Sequence, residues 1–424
     1  MSRTVPNGKQ GSAVPLTTLA ALLECPLRQD AQEIGVQDST FDVIVLGLGA
    51  MGSATLYHLA KRGVKVAGID RHSPPHDLGS SHGATRITRQ AVGEGAAYVP
   101  LALRSQQLWR ELEAERGVSL FEQCGVLIMT ATATATSHHG RPDFTRATLE
   151  LARQYGIPHE AWEGAAIRQR FPQFRVADDA LGYFEPGGGY LYPEACIQAQ
   201  LGGARERGVR IYTDTVIERL EADGQGVRLH SAQGSWRAKR VIVAAGMWSA
   251  ELLGAPFDRL LRVCRQSLHW FEVADPALFP SDSPSFILAH GSGDSDLFYG
   301  FPPLPGENAV KVATEQYTDN TTPIGIDRNL HPEESHQLFS DQVGRWVGGL
   351  SARTVRSAVC AYTVTPDFDF IVDEHPALPG VTVVSACSGH GFKHSAALGE
   401  ALAQRVTTGH SDIDLDSFSL ARFG

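Results

Sequence analysis

The sequence has no Cys-x-x-Cys pair, no block of basic residues, and no run of about 18 apolar residues of the kind that spans a bilayer. Each absence removes a class of function. Its six cysteines (Cys25, Cys124, Cys196, Cys264, Cys360 and Cys387) are scattered, which supports neither a zinc site nor a disulfide scaffold. No metal is expected, and the thiols are expected to be reduced, as in a cytoplasmic protein. Lys and Arg total 37 against 47 Asp and Glu, a net charge of −10, so no nucleic-acid partner is expected. No membrane partner is expected either. Residues 1–40 lack the small residues of a cleavage site after the mildly apolar Val14–Leu23, where Glu24 and Pro26 stand instead. They are expected to form a poorly ordered or loosely docked extension.

What is present reads as a globular chain, 42% apolar and 20% charged. At 424 residues it is too long for one ordinary core, so two packed domains are expected.

The most informative stretch is Phe41–Asp70, FDVIVLGLGAMGSATLYHLAKRGVKVAGID. Val43–Leu46 is a short apolar, β-branched run that suits a strand buried on both faces. It leads into Gly47, Gly49 and Gly52, spaced G-x-G-x-x-G. Ala50, Ala54, Tyr57 and Ala60 then recur at helical spacing, and Gly63 stands where a helix-terminating glycine belongs. Val64–Ile69 is a second apolar strand closed by Asp70. In such a unit the first glycine permits the tight turn, the second admits a pyrophosphate, and the third lets helix and strand pack closely. The acid takes ribose hydroxyls. A dinucleotide site follows, for either FAD or a nicotinamide nucleotide.

Further on, helices are expected at Leu101–Glu115, Phe144–Tyr155, Glu194–Gly208 and Ser395–Val406, and strands near Val209–Thr213 and Gly226–His230. Phe121–Thr130 reads as one strand carrying Cys124, and Ala131–Pro142, with two histidines, as a loose surface loop. Buried strands at Val241–Ala245 and Val381–Ala386 end in small residues, which suits close approach to a cofactor. His331–Gly348 looks helical. The fold class expected is α/β, α+β overall. A discontinuous nucleotide domain at 41–122, 187–260 and 365–424 would carry an inserted strand-rich substrate domain at 123–186 and 261–364.

Four stretches carry a resemblance to the monomeric sarcosine oxidase family, which includes the N-methyltryptophan oxidases. They are the G-x-G-x-x-G unit, PPHDLGSSHGATRITRQAVGEGAAYVPLALRSQQLW, FYGFPPLPGENAVKV, and CAYTVTPDFDFIVDEHP with VSACSGHGFKHS. The resemblance covers nearly all of 41–424. It implies a Rossmann-like, glutathione-reductase-like FAD domain with a mixed or antiparallel substrate domain. It also implies FAD held covalently through Cys360. Lys311 matches the lysine that promotes reaction of reduced flavin with O2. Arg89 and Lys393 match the cations that clamp the substrate carboxylate, and Arg86 and His82 match residues that place positive charge near the flavin ring. Tyr299 and Tyr362 match pocket aromatics. The implied cofactor contacts comprise Gly47, Gly49, Met51, Gly52, Asp70, Arg71, Ser81, Thr85, Arg86, Ala245, Gly246, Trp248, Cys360, Gly389, His390, Gly391, Phe392 and Lys393.

The chain departs from that family at two places. Ser81-His82-Gly83-Ala84 replaces a His-His-Gly-Asp pattern, and Glu315 occupies the position of an active-site histidine. On a strand, residues i and i+4 share a face, so Glu315 is expected to look into the cavity of Lys311. An anion there favours an ammonium, or a second cation on the substrate. The expected activity is oxidation of an amino acid or N-alkyl amino acid at C–N, with O2 reduced to H2O2, by a monomer or weak oligomer. A cyclic imino acid oxidase of pipecolate-like compounds, a dehydrogenase using another acceptor, and a silent flavin-binding protein are the alternatives.

Overall fold

A computed structural model describes residues 40–133, 137–139, 141–293 and 295–424. The expected extension at 1–40, apart from Thr40, lies outside the described residues, as does Cys25.

The first sheet is built on Thr40–Leu46. This strand pairs in parallel with Val66–Ile69 on one side and with Gly234–Val243 on the other, and Arg210–Tyr212 extends the parallel run beyond Val66–Ile69. Val381–Ser385 joins Gly234–Val243 in parallel, and Arg219–Ala222 and Val227–Ser231 add antiparallel strands. Ile44 and Val45 are fully buried, as a strand covered on both faces requires. One face packs on residues of helices Ala50–Lys61, Tyr98–Arg116, Pro193–Glu206 and Ser395–Thr408. Phe257, Leu253 and Leu220 belong to the cluster on the other face.

The second sheet has nine strands, and only one of its pairings, Val126–Thr130 with Ser285–Ala289, is parallel. Its long edge pairs Arg262–Val273 with Leu350–Val364, which sets Cys360 opposite Gln266 and Tyr362 opposite Cys264. Ala309–Thr314 pairs with Leu297–Phe301, placing Lys311 opposite Phe301.

The structure corrects two sequence expectations. Phe121–Thr130 is two strands in different sheets: Phe121–Glu122 pairs with Gly189–Leu191, and Val126–Thr130 enters the nine-stranded sheet. Gly125, at φ +82°, turns the chain between them and leaves Cys124 outside both. Only Gln123, Cys124 and Gly125 separate the two strands, too short an interval for the sequence pattern to show the break. Residues 134–136 and 140 of the expected loop Ala131–Pro142 lie outside the described residues, and 137–139 with 141–142 are not a loose surface loop. Ser137–His138 pairs with Arg141–Pro142, and His138 and His139 are 4% and 3% exposed. Among the described residues no helix is long and apolar enough to cross a membrane.

Candidate active site

Gly47 ends the first strand at φ +87°, where a Cβ would lie 2.5 Å from the Ala244 carbonyl oxygen. At Gly52 a Cβ would lie 1.7 Å from the Gly47 oxygen, so helix and turn close on each other only without a side chain. The helix that starts at Ala50 has no side-chain cap and no acid in its first turn, leaving its amide groups for an anion. Asp70 accepts hydrogen bonds from Leu48 N (2.6 Å) and His72 N (2.8 Å), which hold its carboxylate at the end of the second strand. These features border a cavity of about 360 Å³. A dinucleotide fits this arrangement, with the turn and helix N-terminus for its diphosphate and Asp70 for a ribose.

Of the expected cofactor contacts, Gly47, Gly49, Met51, Asp70, Arg71, Ser81, Arg86, Ala245, Gly246, Trp248, Gly389, Gly391 and Phe392 line this cavity. Arg71 lies over the Trp248 ring at 5.1 Å. Gly52, Thr85, Cys360, His390 and Lys393 are not among its lining residues. Gly52 acts through packing. Thr85 accepts from Lys311, and His390 donates from Nε2 to the Phe368 carbonyl, 3.1 Å away, with its ring against Phe370. The Cys360 thiol is buried, 3.7 Å from the Ser80 oxygen and 3.8 Å from the Arg86 guanidinium, and burial pushes its pKa up. A second thiol, Cys387, does line the cavity.

Arg86 donates to Thr85 O and Ser80 O, each at 2.7 Å. Lys311 is 3% exposed and its Nζ donates to Gly83 O (2.6 Å), Thr85 O (3.0 Å) and Thr85 Oγ1 (3.2 Å). Burial, with Arg86 nearby, pulls its pKa well below the usual lysine value. His82 corrects an expectation. Burial, then Arg86, lowers its pKa to about 4, so at neutral pH it brings no positive charge. Tyr299 and Tyr362 meet hydroxyl to hydroxyl at 3.2 Å.

On the far side of Tyr362 lies a buried charge cluster. Arg89 donates from one nitrogen to both oxygens of Glu94, at 2.6 and 2.7 Å, and from another to Ala91 O at 2.6 Å. Lys393 donates to His390 O at 2.7 Å and stands 3.7 Å from Glu94. Burial pulls Lys393 down to a pKa of about 8. Glu94 is held well below the carboxylate range; burial opposes this, and Arg89 and Lys393 outweigh it.

Glu315 is 8% exposed and forms no ion pair with Lys311 among the described residues. Its Oε2 accepts from Tyr317 Oη at 2.7 Å and lies 3.0 Å from His139 Nε2 and 3.5 Å from His138 Nε2. Burial would raise its pKa, but His138, His139 and Tyr317 together bring it down to about 2. Gly389 connects this cluster to the cavity. A Cβ there would lie 3.2 Å from Tyr362 and 3.3 Å from Glu315 Oε2.

A family model described as FAD dependent oxidoreductase matches residues 42–405. The chain belongs to this family. Within it, monomeric sarcosine oxidase of Bacillus sp. (strain NS-129) is 38% identical over 389 residues, covering 90% of this chain and 97% of that one. N-methyl-L-tryptophan oxidase of Yersinia pestis (strain Pestoides F) is 34% identical over 389 residues, 90% of this chain and 99% of its own. Among solved structures, NikD, titled an unusual amino acid oxidase, superposes with a TM-score of 0.77 at 22% identity over 90% of this chain and 97% of that one. Glycine oxidase from Geobacillus kaustophilus gives 0.69 at 20%, covering 90% and 99%. These two show the shared fold.

Against the FAD-dependent oxidoreductase frame, four residues of the cluster escaped sequence reasoning: Glu94, His138, His139 and Tyr317. Glu94 lies between Arg89 and the helix Tyr98–Arg116 in a stretch that carries no spacing signal. The adjacent histidines are visible in the sequence, yet their burial depends on Phe368, far along the chain, as well as on nearby Phe144.

Proposed function

We propose that this chain is an FAD-dependent oxidase of an amino acid or N-alkyl amino acid. The observation that carries the proposal is the meeting of Arg89, Lys393 and Glu315 behind Gly389, at one end of the dinucleotide cavity. Bound FAD supplies a two-electron acceptor for a C–H bond next to nitrogen. Arg89 and Lys393 bind the substrate carboxylate, one as a planar fork and one as a point charge, once Glu94 yields them. Tyr299 and Tyr362 wall the amine. Fixing both ends of the substrate orients the reacting C–H, and the imine formed is hydrolysed or retained if cyclic. Arg86 and Lys311 place positive charge where electrons accumulate, and Lys311 assists electron transfer to O2. H2O2 is the second product.

Cys360 tethers the flavin as a thioether, with Arg86 the cation that favours its thiolate. The nucleotide part comprises 41–122, 187–260 and 365–424, in line with the strands of the first sheet, and 123–186 with 261–364 forms the substrate part. The protein works as a monomer or weak oligomer, and the five free cysteines among the described residues suit the cytoplasm. Glu315 favours substrates whose nitrogen is strongly basic, so cyclic imino acids are a second substrate class.

The test is anaerobic bleaching of the flavin by a panel of N-methyl, cyclic and primary amino acids, followed by peroxide detection in air. Bleaching with stoichiometric peroxide supports the reading. Dye-linked turnover without peroxide assigns a dehydrogenase instead, and no bleaching by any amine leaves a flavin-binding protein without this activity.

A further inference from the structure

The His138–His139 pair has no part in the mechanism above, yet it is deeply buried beside Glu315. Its rings lie 3.8 Å apart, His138 edge-on to Phe144 and His139 stacked on Phe368. The groups facing it are Glu315 and Tyr317 from the strand end, Glu94 and Arg89 from the segment before the helix Tyr98–Arg116, and His390 with Lys393 from the last loop. Both imidazoles turn Nε2 towards Glu315. Both Nδ1 atoms are buried with no hydrogen-bond partner among the described residues. A ring nitrogen of each and an oxygen of Glu94 lie within 4.8 Å of one another. That spacing would also suit a divalent cation, but Arg89 already holds both Glu94 oxygens and Lys393 stands beside them.

The charges of this cluster balance: Arg89 and Lys393 against Glu94 and Glu315. An amino acid enters as a zwitterion and keeps the balance. To be oxidised, its nitrogen must lose a proton. If that proton left for solvent, the substrate carboxylate would remain as an uncompensated buried anion, which is costly. We infer that the amine proton stays in the site, passing to Glu315 and on to the His138–His139 pair, which stores it as an imidazolium between Glu315 and Glu94. This rests on the amine-oxidase reading.

The step is balanced. The substrate N–H bond breaks, its electron pair stays on nitrogen, and an N–H bond forms on imidazole. All three contacts to Glu315 use Oε2, so Oε1 has no partner among the described residues and is free to take the proton. In the resting protein His138 is neutral at pH 7, its pKa lowered to about 4 by burial and then by His139. Arrival of the substrate carboxylate adds a negative charge beside it and favours the protonated pair. Reducing O2 to H2O2 takes one hydrogen with its electron pair from the substrate carbon and one proton. The stored proton is that one, so a turnover closes without exchange with solvent. The histidines act through Glu315 and are positioning residues.

The experiment counts protons. Holoenzyme is reduced anaerobically in weak buffer containing phenol red, using whichever of sarcosine, N-methyl-L-tryptophan or L-pipecolate bleaches the flavin. Wild type is expected to release close to no proton per flavin reduced, and the His138→Gln/His139→Asn double variant about one. Asn at 139 tolerates the local backbone, φ +52°. In the variant the reduction rate over Kd should also climb roughly tenfold per pH unit between 6 and 8, where Lys393 keeps its charge, while in wild type it stays flat. One proton released by wild type overturns the inference even if the variant fails to fold. Identical proton counts and pH profiles in a folded variant overturn it as well. If no amine bleaches the flavin, the amine-oxidase reading falls and takes the inference with it.

Discussion

Arg89 grips both carboxylate oxygens of Glu94 in a pocket where their side chains are 2% and 3% exposed. The residue assigned to the substrate carboxylate therefore already holds one. Any incoming carboxylate competes with Glu94, and the affinity measured is the difference between two similar pairings.

Glu94→Gln should therefore tighten binding of a simple carboxylate while costing stability. Acetate titrated against the flavin spectrum is expected to bind about tenfold more tightly, or about 1.4 kcal/mol. Thermal unfolding should show a lower Tm, since breaking a buried pair costs about 3–5 kcal/mol. Weaker acetate binding in a folded variant would remove Arg89 from the carboxylate site.

Two thiols stand near the flavin site, Cys360 behind the cavity wall and Cys387 on it. Acid precipitation should leave the yellow chromophore on wild type and on Cys387→Ala, and release it from Cys360→Ala. Chromophore lost from the Cys387 variant alone would reassign the tether.

Lys311→Met should separate the two halves of the reaction. Reduction by substrate is expected to survive within a few-fold. Reoxidation by O2, followed in a stopped-flow instrument, should slow by about 10²-fold through loss of the fixed cation. Equal slowing of both halves would make Lys311 a structural cation holding Gly83 and Thr85.

Lys393, with its pKa lowered to about 8, is a cation below that pH and neutral above it. Acetate affinity should be flat below pH 8 and fall up to tenfold per unit above it. Lys393→Met should bind weakly at every pH and lose this break.

Glu315 carries a folded pKa of about 2 against an ordinary 4.5, so its contribution to stability is present above pH 4.5 and disappears as pH falls through 2. Glu315→Gln should flatten denaturation curves measured between those limits. It should also weaken amine substrates far more than acetate, and equal losses for both would deny it contact with the amine.

How much of this was legible in the sequence depended on the distance over which each feature is encoded. The turn at Gly47–Gly52 and its partner Asp70 are local, because strand, glycines, helix and acid lie in one short segment whose steric demands can be read residue by residue. The strand carrying Lys311 was legible for the same reason. The charge cluster was not. The helical and strand patterns around Glu94 and Glu315 say nothing about which residue each will face, and His138 and His139 sit in a stretch of alternating Ala and Thr that mimics a loop. They are buried because Tyr317 and Phe368 reach them from two distant parts of the chain, beside the nearby Phe144. Cys124 shows another failure, since a three-residue interval hid a change of sheet at Gly125.

Gly389, at φ +84°, lines the flavin cleft and has no side chain to part it from Glu315 and Tyr317. A methyl group in its place would stand 3.0 Å from the Tyr317 hydroxyl and 3.3 Å from the glutamate, besides straining the backbone. Anyone retuning this enzyme for a new amine would thus find no room to work from the cofactor side. The adjustable wall is the opposite one, which carries His138 and His139.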